Sequence, residues 1–358
     1  MRRNLVNYAY WRLPETNRCI FMAQADGEPE QLKTVADLDG RSGWVMAPFE
    51  PSADCPILLM HPDVVEELPT DGPPTGEAVP STPCDGDRLW PELQVEGGAD
   101  TAERQVYHRD FVRFHHEIVA GRFAKLVLSR RATVKGANVR AEQLFWKACR
   151  LYPHQFIALV SLRHAGTWLV ATPEVLLSGN GDDWRTMALA GTMNAGGHRP
   201  ADVAWSAKNV SEQQCVSSYI KEVLEGFARQ VSSTGPYTTQ AAHLLHLRTD
   251  FHFSLSDTAH LGRLLSALHP TPAVCGIPKE EARRFILGQE SVERKYYSGF
   301  CGPLQPHGDT HLYVSLRCME IQPDGCRLYA GGGLLPESRE ESEWLETQNK
   351  LQTMLRLL

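Results

Sequence analysis

Three glutamates carry the first chemical signal in the sequence. Glu343 and Glu346 stand three residues apart, so they share one face of any helix that contains them. Lys350 follows Glu346 by four residues on the same side. Trp344, Leu351 and Leu355 mark the adjacent apolar stripe, which sets the two carboxylates at the edge of a buried face. Glu212 likewise continues the stripe Val216, Ile220, Val223 and Phe227 toward the start of its own segment. A carboxylate on an apolar stripe is costly to bury unless it is paired or bound to a metal. Two helices presenting acids in this way suit a hard cation such as Mg2+, which takes oxygen ligands and keeps several waters. For the last helix alone, a solvated acidic face paired to Lys350 remains the simpler reading.

Gly331, Gly332 and Gly333 precede that helix. A glycine-rich strand end lets backbone N–H groups approach an anion closely, and the same triplet also serves as a plain tight turn. Ser338 followed by Glu341 reads as a capping box that opens the helix. The two acidic helices and the glycine run together point to a metal held beside an anion.

These groups need elements to hold them. Apolar spacing predicts helices over 104–121, 141–151, 207–230, 257–268, 279–287 and 337–358. Strands are expected in KLVLSRRATV, on both sides of a turn at 163–166, in RTMALAGT and in HLLHLRTDFHFSL. Three closing strands read YYSGFCGPLQ, HLYVSLRCMEI and CRLYAGGGLL, and HPTPAVCGIP reads as a proline-rich loop. Nearer the start, GWVMAPF and CPILLM read as strands, and 69–98 is a linker rich in Pro, Gly, Asp and Thr. Strands in hairpins with helices between them imply an α+β fold with large mixed or antiparallel sheets.

Composition narrows the function classes. A net charge of −7 over 358 residues disfavours nucleic-acid binding, which needs a basic surface. The longest clearly apolar run, 156–162, is far too short to span a membrane. The first residues lack the apolar stretch of a secretory signal. Nine cysteines, an odd number with no C-x-x-C pair, read as reduced thiols in a cytoplasmic protein.

Seven motifs then occur in order: KLVLSRR (125–131), WLVATPEVLL (168–177), ALAGT (188–192), LLSALHPTPAVCGIP (264–278), ERKYYSGFCG (293–302), LYAGGGLLPES (328–338) and EWLETQNKL (343–351). Together they resemble the chorismate-binding enzymes: isochorismate, salicylate, anthranilate and aminodeoxychorismate synthases. The resemblance implies the anthranilate-synthase-like fold, two large sheets flanked by helices with the site between them. It divides the chain into an N-terminal β-rich segment with its linker, 1–104, packing as part of the same fold, and a chorismate-binding catalytic region, 105–358.

Within that family the resemblance assigns roles. Lys125 resembles the lysine that takes a proton from water in isochorismate and salicylate synthases; anthranilate synthases carry glutamine there, ammonia being their nucleophile. Glu174 resembles the acid that protonates the departing hydroxyl. Moving a hydroxyl from ring carbon 4 of chorismate to ring carbon 2 needs such a base and acid at separate positions. Glu212, Glu343 and Glu346 resemble the magnesium carboxylates. Arg317 and Tyr297 resemble residues that grip the enolpyruvyl carboxylate, helped by the backbone at Gly331 and Gly333. Lys350, Gly191, Thr192 and His246 resemble pocket residues. Gln213 replaces a histidine, Asn209 an acid and Lys295 a glycine found in relatives.

Ala190 stands where aminodeoxychorismate synthases have lysine, and Ala273 resembles the isochorismate-forming pattern rather than the salicylate one. The expected enzyme is a Mg2+-dependent isochorismate synthase, needing no glutamine amidotransferase and acting as a monomer or weak homodimer. Its product is expected to feed menaquinone or siderophore synthesis. The alternatives are a salicylate synthase, which goes on to expel pyruvate, and a catalytically silent chorismate-binding protein on the same fold.

Overall fold

The computed structural model describes residues 6–69, 102–135, 140–196, 199–305 and 307–358. The chain opens with β1 (Asn7–Arg12), β2 (Arg18–Gln24), β3 (Glu30–Leu32), β4 (Gly43–Ala47), β5 (Ile57–Met60) and β6 (Val64–Pro69). There follow α1 (Ala102–Val119), β7 (Lys125–Lys135), α2 (Ala141–Leu151), β8 (Phe156–Leu162), β9 (Gly166–Thr172), β10 (Val175–Asn180) and β11 (Asp183–Asn194). Next come α3 (Ala207–Phe227), β12 (Ala228–Ala241), β13 (Leu244–Leu255), α4 (Leu261–Leu268), β14 (Gly276–Ile277) and α5 (Lys279–Gln289). The last elements are β15 (Phe300–Leu304), β16 (Thr310–Val314), β17 (Cys318–Gln322), β18 (Gly325–Leu334) and α6 (Glu340–Leu355).

Two nine-stranded sheets form the frame. One runs β14-β7-β18-β17-β9-β8-β1-β2-β6, the other β12-β13-β11-β10-β16-β15-β4-β5-β3. Neighbouring strands pair antiparallel throughout both sheets. Trp44, Phe156, Trp168 and Tyr313 pack in the core between the sheets, and Phe156 stacks on Tyr313 with ring centroids 4.2 Å apart. Residues of α2 and α6 cover the outer face of the first sheet, and those of α3 and α4 cover the second. Each sheet is therefore apolar on both faces, which is why so many strands read as short continuous apolar runs. Strands β1, β2 and β6 extend the first sheet and β3 to β5 the second, so the N-terminal segment joins both sheets.

Several elements differ from the sequence reading. The helix expected over 207–230 stops at Phe227, and the long strand β12 follows at once. Most of β12 is exposed at the sheet edge, so it carries no apolar alternation for a reader to find. On α3 the buried stripe is Val216, Ile220 and Leu224, while Phe227 points out to solvent. The helix expected from 257 begins as a tight turn, with Asp257 accepting a hydrogen bond from Ala259 N, and becomes α4 at Leu261. No capping box opens α6: Arg339 holds the N-cap position without a side-chain bond. Ser338 Oγ accepts instead from Leu335 N, closing the turn after β18, and Glu341 pairs with Arg104 at 2.6 Å. Apart from Pro69, which ends β6, the expected linker lies outside the described residues. No helix among the described residues is long and apolar enough to cross a membrane.

Candidate active site

Two crossovers between the sheets build the floor of a cleft. β9 belongs to the first sheet and β10 to the second, and Pro173 and Glu174 form the link between them. β16 and β17 make the reverse passage through Ser315, Leu316 and Arg317. The sequence reading had merged β9 and β10 into one strand, because apolar residues continue on both sides of Pro173. Backbone bonds tie the crossovers together: Val314 N donates to Glu174 O at 3.0 Å and Ala171 N to Arg317 O at 3.1 Å. Arg317 holds the left-handed backbone conformation, φ 48°, which is uncommon for a residue with a side chain and is kept here by these bonds.

Both crossover side chains are buried. Glu174 is 2% exposed, and burial raises its carboxyl to about 7 against the opposing pull of Lys125, Arg317 and Lys350. Near neutral pH much of it therefore carries a proton that it can donate. Arg317 is 7% exposed, and burial draws its guanidinium down to about 10. Its Nη2 donates to His246 Nε2 at 2.7 Å, while Nη1 is buried with no protein partner. A buried donor without an acceptor costs free energy and suits an incoming anion.

The same hydrogen bond sets the histidine. Nε2 must accept from arginine, so Nδ1 carries the proton and donates to Gly191 O at 3.1 Å. Burial, with Arg317 beside it, pushes His246 well below the usual histidine range, in keeping with a neutral ring. Gly191 has φ +72° at a bulge in β11, and Thr192 Oγ1 lies 3.3 Å from His246 Nδ1.

Glycines clear the opposite wall. β18 pairs with β7, placing Gly331 against Ser129 and Gly333 against Val127. A Cβ on Gly331 would lie 2.7 Å from Tyr297 Oη. One on Gly333 would lie 2.2 Å from Glu212 Oε1 and 2.7 Å from Lys125 Cε. On Gly332 it would face Glu343 Oε2 at 3.4 Å and Glu346 Oε1 at 3.7 Å. The triplet is thus not merely a turn: it leaves room for acids of α3 and α6 against one strand. Glu174, Arg317, Tyr297, Gly331, Gly333, Lys350, Gly191, Thr192, His246, Ala273 and Glu212 all line one cleft, with about 620 Å³ of empty space, solvent at its mouth included. Lys125 Cε lies against Gly333 on the same side as Glu212, and Glu343 and Glu346 lie beside Gly332.

Each of the three acids faces a lysine. Lys125, fully buried, sets Nζ 2.9 Å from Glu212 Oε1, an ion pair without a well-aligned hydrogen bond. Burial works to raise Glu212, but Lys125, with Lys208 and Lys350 behind it, prevails and holds the carboxyl below its ordinary range. Lys350 Nζ lies 2.7 Å from Glu346 Oε1 and donates to Gly331 O at 2.9 Å. The pairing of Glu346 with Lys350 is thus real, yet the face is not a solvated one, since Glu343 is only 1% exposed. Glu343 Oε1 pairs with Lys208, and burial, then Glu346, raises its carboxyl.

Among the described residues, no three carboxylate, histidine or cysteine side chains converge as a ready-made metal cage. The donor chemistry still fits a hard divalent cation. Glu343 Oε2 is buried without a hydrogen-bond partner, and Gly332 leaves space directly before it. Lys208 was missed by the sequence reading, although it stands one helical turn before Glu212. Gln213, in place of the relatives' histidine, is anchored structurally: its Nε2 donates to Ala188 O at 3.1 Å and to Thr249 Oγ1 at 3.2 Å.

The family model described as chorismate binding enzyme matches residues 91–358. Isochorismate synthase DhbC of Bacillus subtilis is 32% identical over 256 residues, 67% of this chain and 64% of that protein. Across the first curated relatives the chain spans 57 to 64% of their length. The crystal structure of a putative 2,3-dihydroxybenzoate-specific isochorismate synthase, DhbC, from Bacillus anthracis superimposes with a TM-score of 0.80 at 24% identity, covering 98% of this chain and 96% of that one. Anthranilate synthase component I from Streptococcus pneumoniae superimposes with a TM-score of 0.67 at 16% identity, covering 98% and 90%. The fold is therefore shared with both, as the motifs implied.

Proposed function

The chain belongs to the chorismate-binding enzyme family, and from that premise we propose that it is an isochorismate synthase that isomerises chorismate with Mg2+. The observation that carries this reading is one cleft with a buried lysine, Lys125, packed beside Glu212 and Gly333 of its wall and a buried carboxylic acid poised near neutrality, Glu174, in its floor.

The chemistry needs both. Water adds at ring carbon 2 while the ring double bonds shift and the hydroxyl on carbon 4 departs as water. The net change is an isomerisation with no oxidant or second substrate. Lys125 takes the proton from the attacking water, and protonated Glu174 delivers one to the leaving oxygen. Arg317, with its free Nη1, and Tyr297 hold the enolpyruvyl carboxylate, and His246 fixes the guanidinium from behind. Glu212, Glu343 and Glu346 would hold Mg2+, which neutralises the ring carboxylate and fixes it in place. Lys125, rather than glutamine, and Ala190, rather than lysine, support water over ammonia as the nucleophile. The relatives' names include isochorismate synthases, which supports the same product.

The test is product analysis. Chorismate and Mg2+, without ammonia or glutamine, should give isochorismate without stoichiometric pyruvate. Salicylate with equimolar pyruvate would make it a salicylate synthase, and binding without turnover would make it a silent chorismate binder. As one hydroxyl replaces another on similar carbons, isochorismate should also return chorismate.

A further inference from the structure

Lys208 stands on the first turn of α3, where its ammonium reaches across to Glu343 at the start of α6. α3 covers one sheet and α6 the other, so this contact bridges the two halves of the site. The lysine is not an ordinary surface partner. Its side chain is 22% exposed and that of Glu343 2%. Its ammonium pairs with Glu343, one of the three acids assigned above to magnesium. The second oxygen of Glu343 is buried beside Gly332 without a well-formed hydrogen bond.

We propose that Lys208 is a built-in counter-ion that occupies the electrostatic place of the divalent cation, competes with it for Glu343, and so sets the affinity of the site for metal. The proposal rests on the magnesium reading of Glu212, Glu343 and Glu346. Three carboxylates packed on one glycine strand repel one another, and some positive charge has to be present for the empty site to stay closed. Lys125 and Lys350 each answer one acid. Lys208 answers the third and leaves one oxygen of Glu343 unused. An entering ion has to take Glu343 from Lys208, and the competition weakens binding. Removing the lysine charge therefore tightens metal binding, opposite to what the loss of a purely structural ion pair would do.

Calorimetric titration of MgCl2 into the full, EDTA-stripped chain tests this, with no chorismate present. Lys208→Met keeps the aliphatic stem and drops the charge, Lys208→Arg keeps the charge, and Lys221→Met removes an exposed helix pair on α3 as a control. Lys208→Met should bind Mg2+ at least tenfold more tightly than wild type, with Lys208→Arg and Lys221→Met close to wild type. Melting gives a second readout: Lys208→Met should melt below wild type in EDTA and gain more from Mg2+. Equal or weaker Mg2+ binding by Lys208→Met, or a lowered Tm that Mg2+ does not restore, overturns the counter-ion role while leaving the metal site standing. No heat and no Mg2+-dependent Tm change in any protein overturns the metal reading and this inference with it.

Discussion

Replacing Glu174 with glutamine separates two effects that burial imposes on one carboxyl. In the folded chain the carboxyl is raised from 4.5 to about 7, chiefly by burial, which corresponds to roughly 3 kcal/mol. The raised group binds its proton more tightly folded than unfolded. Its contribution to stability is thus complete below about pH 4.5, declines as pH rises, and is gone above about pH 8. Glutamine keeps the shape and does not titrate. Relative to wild type, Glu174→Gln should therefore gain about 3 kcal/mol of stability between pH 4.5 and pH 8, most of it between pH 5 and 7. Urea unfolding in EDTA-containing buffer at pH 4.5, 6, 7 and 8.5 reads this as a growing gap between midpoints. The same variant should lose turnover by about 10² or more, since an amide cannot protonate the leaving hydroxyl, while chorismate still binds. A gap that stays constant from pH 4.5 to 8.5 would refute the claim that burial keeps this acid protonated. Near-normal turnover would refute its role as the acid.

Other variants test the remaining groups. Lys125→Ala should lower turnover by about 10² or more with chorismate binding retained; a defect in binding alone, read by calorimetry, sinks its role as base. Arg317→Ala removes the buried donor Nη1 and leaves His246 without its partner, so chorismate affinity should fall by tenfold or more, as measured by KM and by direct titration. Gly333→Ala would set a methyl 2.2 Å from Glu212 Oε1 and 2.7 Å from Lys125 Cε; both belong to one buried ion pair that must be displaced, so Tm should fall and activity be lost. Glu343→Gln should abolish Mg2+-dependent activity, and full activity of wild type in excess EDTA would contradict the metal assignment.

Much of this protein was legible along the chain because its signals are local or ordered. Helical spacing marked α1, α2, α5 and α6 to within a few residues, since each lays one apolar face on a sheet. Three of the seven motifs carry Lys125, Glu174, Glu343 and Glu346, whereas Glu212 and Arg317 lie between motifs, and the fold brings all six segments to one region. What only the tertiary structure decided is how those segments meet. A continuous apolar run does not reveal that Pro173 carries the chain from one sheet to the other, although that passage is what brings Glu174 into the cleft and buries it. The exposed edge strand β12 had no periodicity to read, because side chains on both of its faces are mostly exposed. Spacing alone made a solvated face paired to Lys350 the simpler reading of Glu343 and Glu346. The choice was made by Gly332 on another strand and by Lys208 on another helix, more than a hundred residues earlier. Charge pairing and burial act through space, so the protonation of Glu174 and the balance of three acids against three lysines exist only once both sheets and their helices have closed around them.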